Sequence, residues 1–178
     1  TYLGTELPII LDHSLYSWNT RAKEMLWADG VLRDTAPLEL NRRELMERDN
    51  RGSEWLVYGY LPLMTSAQCV HANTGTCDKT KTVVYLKDRY GKYFPVKNNC
   101  TECYNTLYNT TPLILFAALE DADKMGMAGI RLGFTVEDEA GVERVLSCYE
   151  QITLQKRSMA EVVENGSYTN GHYKRGVE

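Results

Sequence analysis

Four of the five cysteines fall between residues 69 and 103. Cys69 and Cys77 are separated by seven residues that include the turn formers Asn73 and Gly75; Cys100 and Cys103 are separated by two, a spacing that lets both sulfurs face one point. Between the pairs, "KTVVYLK" and "KYFPV" are β-rich runs joined by "DRYG", with Gly91 available for a positive φ. Folding that hairpin brings its roots together, and with them the cysteine pairs. Four thiolates around one point suit a soft or borderline metal. Two occupants fit: a structural zinc ion, although the first pair is looser than the usual zinc spacing, or an iron-sulfur cluster, which tolerates irregular spacing. Cys148 lies apart, in the apolar helical pattern "VERVLSCYEQI", and is expected in the core.

Other groups carry weaker signals. In the tail "NGHYKRGVE", His172, Lys174 and Arg175 form a basic group suited to carboxylate or phosphate, against the plainer reading of a solvated chain end. Asp12 and His13 are adjacent at a strand end, where they would act as acid and base or as a satisfied structural pair. Glu39 would bind a polar ligand, whereas Asn41 is expected to cap the helix that follows. Arg131, within "AGIRLGFT", is costly to bury alone and should find a carboxylate or reach a strand-end mouth. Along residues 78–99, Lys79, Lys81, Lys87, Arg89, Lys92 and Lys97 stand against only Asp78 and Asp88, with Tyr85, Tyr90, Tyr93 and Phe94 interleaved. Cations for phosphates and rings for unpaired bases would bind RNA. The alternative is a solvated hairpin with its rings packed inward.

The elements that must hold these groups alternate. "LPIILDHS" has strand character, "YSWNTRAKEMLWADG" shows helical spacing in Trp18, Ala22, Met25 and Leu26, and "DTAPLEL" leads into the charged helix "NRRELMERDN". "EWLVYGYLPLM" is expected as one long strand over 54–64, "TPLILFAALEDADKMG" as a helix, "AGIRLGFT" as a strand and "VEDEAGVERVLSCYEQIT" as a helix. The order βαβαβ, insertion, αβα predicts an α/β fold: a partial (β/α) TIM-like barrel, its C-terminal half, with a cysteine-bearing β-hairpin insertion over residues 69–103. Functional groups should then gather at the C-terminal ends of the strands. The 178 residues, 43% hydrophobic and 25% charged, can form a single domain. No apolar run is long enough for a membrane span and no signal peptide is visible, so a cytoplasmic protein with reduced thiols is expected. Because Thr1 opens almost directly on a strand-like segment, a piece of a longer protein is expected.

"VYGYLPLMTSAQC", "LKDRYGKYFPVKNNCTEC", "IRLGFT" and "NGHYKRGVE", in that order, together resemble the collagenase-like peptidase family U thirty-two over essentially the whole chain. "LDHSLYSWNTRA" and "PLELNRREL" resemble the strand-and-turn units that precede the first cysteine. The family's peptidase signature belongs to the N-terminal half and is not represented, so the resemblance implies the C-terminal part of such a domain, inactive in isolation, with the remainder of the parent chain as its partner. Members carry a protease label, yet relatives act in RNA or quinone hydroxylation, hold a four-iron four-sulfur cluster on four cysteines and, in the RNA cases, use prephenate. Carried over by position, Cys69, Cys77, Cys100 and Cys103 would be the ligands, and a small dicarboxylate such as prephenate would meet the tail. Against proteolysis, the chain has no Gly-x-Ser-x-Gly elbow, no His-Glu-x-x-His helix and only three histidines.

Overall fold

The computed structural model describes residues 7–75, 77–80, 82–164 and 167–177. Strand β1 (Ile9–Leu11) leads through α1 (Thr20–Ala28) to β2 (Val31–Thr35), and β2 through α2 (Arg42–Glu47) to β3 (Ser53–Gly59). These three strands pair in parallel, as short helical crossovers require. The chain then builds a second sheet from β4 (Pro62–Ser66), the short α3 (Val70–Asn73), β5 (Val83–Lys87), β6 (Tyr93–Asn99) and β7 (Tyr104–Tyr108). Its strands are antiparallel in the order β4-β7-β6-β5. The return runs through β8 (Leu113–Ile114), α4 (Glu120–Met125), β9 (Gly129–Gly133), α5 (Glu139–Thr153) and α6 (Met159–Val162). β9 lies parallel along β3 from Glu54 to Gly59, so β8, antiparallel to Tyr58 and Gly59, shares the opposite edge of β3 with β2. Gly59 and Gly133 are partners in that ladder, and a Cβ on Gly59 would stand 2.9 Å from the Gly133 carbonyl oxygen. The two glycines let the strands close up at their ends.

The α/β class is as the sequence predicts, and no closed barrel forms among the described residues. Several elements differ from expectation. The apolar run 54–64 breaks after Gly59, and β4 joins the other sheet with Pro62 at its start, a position where a missing N–H is tolerated. The expected helix over residues 111–126 survives as a 3-10 turn at Phe116–Ala118 followed by α4, because Leu113 and Ile114 are taken by pairing with β3. Pairing with β1 and β3 makes a strand of Val31–Thr35, which ends four residues short of Glu39. The apolar face expected of α1 is not its buried one: Met25 and, just before the helix, Trp18 are exposed, Ala22 and Leu26 are half-buried, and Lys23 is the helix's buried residue. No helix among the described residues is long and apolar enough to cross a membrane.

Lys23 is buried because its ammonium has a fully built socket. Nζ donates to the Asp49 and Arg51 carbonyls at 2.8 and 2.7 Å and to Ser53 Oγ at 2.9 Å, stands 3.7 Å from Asp34 Oδ1, and lies 4.5 Å from the Trp27 ring centroid. Arg48 enters from the end of α2 and donates to Asp34 Oδ2 at 2.5 Å, to the Ser17 carbonyl at 2.7 and 2.9 Å and to Asn50 Oδ1 at 2.7 Å. Ser17 and Ser53 both donate to the Asp34 carboxylate. Two cations thus share one carboxylate, and backbone carbonyls supply the remaining acceptors. Burial opposes ionisation of Asp34, but the two serine hydroxyls, Arg48 and Lys23 outweigh it and hold the carboxyl below its usual range. Burial pushes the Lys23 pKa down.

Removing one partner strands the others, at a cost of about 3–5 kcal/mol, against a typical domain stability of about 5–15 kcal/mol. Asp34→Asn should therefore lower the urea midpoint sharply. In the parent, Asp34's stabilisation should be complete above the unfolded carboxylate pKa of about 3.9 and vanish as pH falls through the lower folded value, because there the unfolded chain binds the extra proton. A urea titration series across acid pH checks both. An unchanged midpoint in Asp34→Asn would remove the network from its structural role.

Candidate functional site

Three separate segments carry the clustered cysteines to one end of the antiparallel sheet. Cys69 follows a turn in which Ser66 Oγ accepts from the Gln68 N–H, and it is the residue on which α3 begins. Cys77 is exposed and is followed by a turn in which Asp78 Oδ1 accepts from the Thr80 N–H at 2.9 Å and its hydroxyl at 2.7 Å. Cys100 and Cys103 occupy the turn between β6 and β7, and Cys103 takes the left-handed φ of 58° that closes it. The expected hairpin is present as β5 and β6, with Gly91 at φ 81° in its turn, so Cys77 and Cys100 do arrive at its roots. Cys100 Sγ donates to the Thr80 carbonyl at 3.0 Å, which joins the two segments directly.

The thiols share one electrostatic neighbourhood. Desolvation pushes the Cys100 thiol up, and Cys69, Cys77, Cys103 and Asp78 add to that push. As placed, no three Cys, His, Asp or Glu groups among the described residues are close enough to enclose an ion. The donor chemistry nevertheless fits a soft or borderline metal, and two buried polar atoms beside it, Asn98 Oδ1 and Asn105 Oδ1, have no hydrogen-bond partner among the described residues. Cys148 is half-buried on α5 and packs against the core, where burial pushes its thiol up.

Of the hairpin's rings, Phe94 is half-buried and the three tyrosines are not packed inward. Tyr85, Tyr90 and Tyr93 are exposed, with Lys87 Nζ 5.2 Å from the Tyr93 centroid and Arg89 4.7 Å from that of Tyr90. Lys81 lies outside the described residues.

A second cluster crosses the parallel sheet on one face. Arg131 on β9 donates to Glu54 Oε2 on β3 at 2.6 and 2.8 Å, and its Nη1 stands 3.9 Å from Asp12 Oδ1 beyond β1; Arg33 on β2 is 3.7 Å from Glu54 Oε1. His13 Nδ1 lies 3.0 Å from Asp12 Oδ1. The carboxylate expected for Arg131 is thus Glu54, and Asp12 and His13 join the same network. Sequence reasoning passed over Glu54 and Arg33. Their one available signal was alternation: Arg33 and Glu54 lie on the face opposite Asp34, Ser53 and Trp55. Glu39 joins neither cluster. It sits in the loop beyond β2 with Oε2 buried and without a partner among the described residues. Asn41 does cap α2, accepting from the Glu44 N–H at 3.0 Å while Glu44 Oε2 accepts from the Asn41 N–H at 2.8 Å.

The tail is anchored through a residue that its sequence pattern does not single out. Tyr173 is buried with its ring 5.2 Å from that of Trp55, and its hydroxyl donates to Asp121 Oδ2 at 2.6 Å. Arg42 completes the clamp with two bonds to Asp121 at 2.7 and 2.9 Å. His172 and Arg175 flank this anchor and are exposed; His172 Nδ1 is 3.0 Å from the Gly176 carbonyl oxygen. Among the described residues no hydrogen bond or ion pair joins their side chains to the cysteines or to the charged face of the sheet. Comparison with protein-family models, with curated proteins and with solved structures returns no match to this chain.

If the four clustered thiols act as one site, Cys69→Ser, Cys77→Ser, Cys100→Ser and Cys103→Ser should each lose bound metal, whereas Cys148→Ser should keep it. Metal analysis of the five purified variants checks this, and equal contents would refute a shared site.

Proposed function

We propose that this chain is the C-terminal part of a family U thirty-two protein in which a four-cysteine centre serves hydroxylation of RNA bases. The observation that carries the reading is the convergence of Cys69, Cys77 and the Cys100–Cys103 turn from three chain segments at the root of a basic, ring-bearing hairpin. Supporting it, the resemblance over four ordered motifs points to the same four residues. An iron-sulfur cluster held there would supply one-electron redox chemistry, whereas zinc would serve structure alone.

In this reading the parallel sheet is half of a (β/α) barrel. Support comes from its outer strands: β1 and β9 each pair on one edge only among the described residues, and Ile10, Leu32 and Met25 are exposed apolar side chains beside that sheet. The remaining half of the parent chain would take up those edges, since parallel sheets are normally covered on both faces. The hairpin would hold RNA through Lys87, Arg89 and Lys92, with Tyr85 as a free stacking ring. His172 and Arg175 would meet a small dicarboxylate such as prephenate, held out to solvent on the anchor of Tyr173.

Full-length protein prepared without oxygen should be brown and contain acid-labile sulfide. A colourless sample with one zinc per chain would leave a structural site and remove the redox role. Charge reversal at Lys87, Arg89 and Lys92 should weaken RNA binding and flatten its salt dependence by about one unit of log-log slope for each phosphate no longer neutralised. His172→Ala and Arg175→Ala should lower turnover with RNA binding kept. Peptide cleavage by metal-replete, contaminant-free protein that survives the hairpin reversals would favour the peptidase reading instead.

A further inference from the structure

Asn98 and Asn105 are polar side chains in an enclosed place, only 3% and 2% exposed. They are register partners across the β6–β7 ladder. Asn98 lies two residues before Cys100, and Asn105 two residues after Cys103. Each amide reaches a different cysteine-bearing segment. Asn98 Nδ2 donates to Thr82 Oγ1 at 3.2 Å, on the stretch leading from Cys77, and its backbone N–H donates to the Thr82 carbonyl at 3.1 Å. Asn105 Nδ2 donates to the carbonyl of Gln68, the neighbour of Cys69, at 3.5 Å. The pair therefore stands where all three cysteine-bearing segments meet. Neither Oδ1 has a hydrogen-bond partner among the described residues, and a buried amide oxygen left so bears its desolvation cost uncompensated. Among the described residues no other buried side-chain nitrogen or oxygen on β4, β5, β6 or β7 lacks a partner.

The two amides differ in freedom. The Thr82 hydroxyl both donates and accepts, so the Asn98 amide can turn over and keep that bond, placing its N–H₂ where the unpartnered oxygen stands. Among the described residues the Asn105 side chain bonds only a carbonyl oxygen, which accepts only, so turning that amide over would break its bond.

We propose that Asn98 and Asn105 are positioning residues of the four-cysteine site, Asn105 by tying the Cys69 segment to the sheet and Asn98 by donating an N–H to a metal-bound thiolate. This role rests on the four-cysteine reading above. It adds to that reading the polar groups that hold and tune the sulfurs, which are partners of the kind that ordinarily orient metal ligands.

The test uses the full-length protein with zinc alone, measured by competition with a chelator, and with cobalt(II) as a coloured substitute. Asn98→Leu, Asn98→Asp and Asn105→Leu should each bind zinc about 10- to 100-fold more weakly. Losing an N–H to sulfur makes the thiolate more electron-rich, so both Asn98 variants should move the thiolate-to-cobalt band to longer wavelength. Asn105→Leu should leave the band in place. Asn98→Asp keeps the size of the side chain and a bond to the Thr82 hydroxyl, so it remains informative if Asn98→Leu fails to fold. Parental zinc affinity in the variants, or an unmoved cobalt band in both Asn98 variants, would overturn the proposal. A parent chain that binds neither zinc nor cobalt would instead overturn the four-cysteine reading itself, before any variant is compared.

Discussion

The buried carboxylate of Asp34 is the constraint on which the parallel sheet depends. It lies on β2, receives Lys23 from α1, Arg48 from the end of α2 and Ser53 from the start of β3, and so binds both crossovers to the strands they connect. Hydrophobic packing alone would not fix this register, because Met25 of α1 and Trp18 just before it face the outside. An ion pair without water is a poor source of net stability but a strict one of geometry, since any displaced partner leaves a charge unsolvated. With the β2–β3 register held, β3 has fixed edges for β8 and β9, and the apolar core of Trp55, Val57, Phe116 and Met125 can close around it.

A second clamp works at the periphery. Asp121 of α4 receives Arg42 of α2 and the hydroxyl of Tyr173, so the tail is fixed by the helices it crosses. Hydrogen bonds from Arg42, opposed by some desolvation, and then from Tyr173 and Lys124 hold the Asp121 carboxyl well below the usual range. The clamp is partly exposed and carries less stability than the Asp34 network. Its effect is positional. It turns a chain end with two glycines and an asparagine into a shaped loop that presents His172 and Arg175 on either side of a buried ring.

What was legible in the sequence follows from how local each determinant is. The β5–β6 hairpin could be read because the β-rich runs around Val83–Tyr85 and Tyr93–Val96 flank a turn of suitable residues, all within neighbouring positions. The Asn41 cap is also local. The break between β3 and β4 could not be read, because the run Leu56–Met64 stays apolar or aromatic across the point where the chain changes sheets. Burial of Lys23 was invisible for a related reason: a lysine on a helix reads as solvent-facing until carbonyls from residues 49 and 51, far along the chain, are known to converge on it. Within the candidate site, the cysteines were found by their type and spacing. Asn98, Asn105, Glu54 and Arg33 were not, since each acquires its role only from the strand beside it.

Charge separates the two places that would hold a small anion. On the sheet face, Glu54 already holds Arg131 by two hydrogen bonds, with Asp12 3.9 Å from Arg131 and Arg33 3.7 Å from Glu54, so an incoming dicarboxylate would meet two carboxylates and would have to displace Glu54 before gaining the Arg131 guanidinium. At the tail, Arg175 has no carboxylate partner among the described residues, and Lys174 beside it is exposed. An anion meeting them displaces only water. The cost of breaking the Arg131–Glu54 pair therefore favours the tail for such an anion, and leaves the charged face to link β2, β3 and β9 with Asp12 beyond β1.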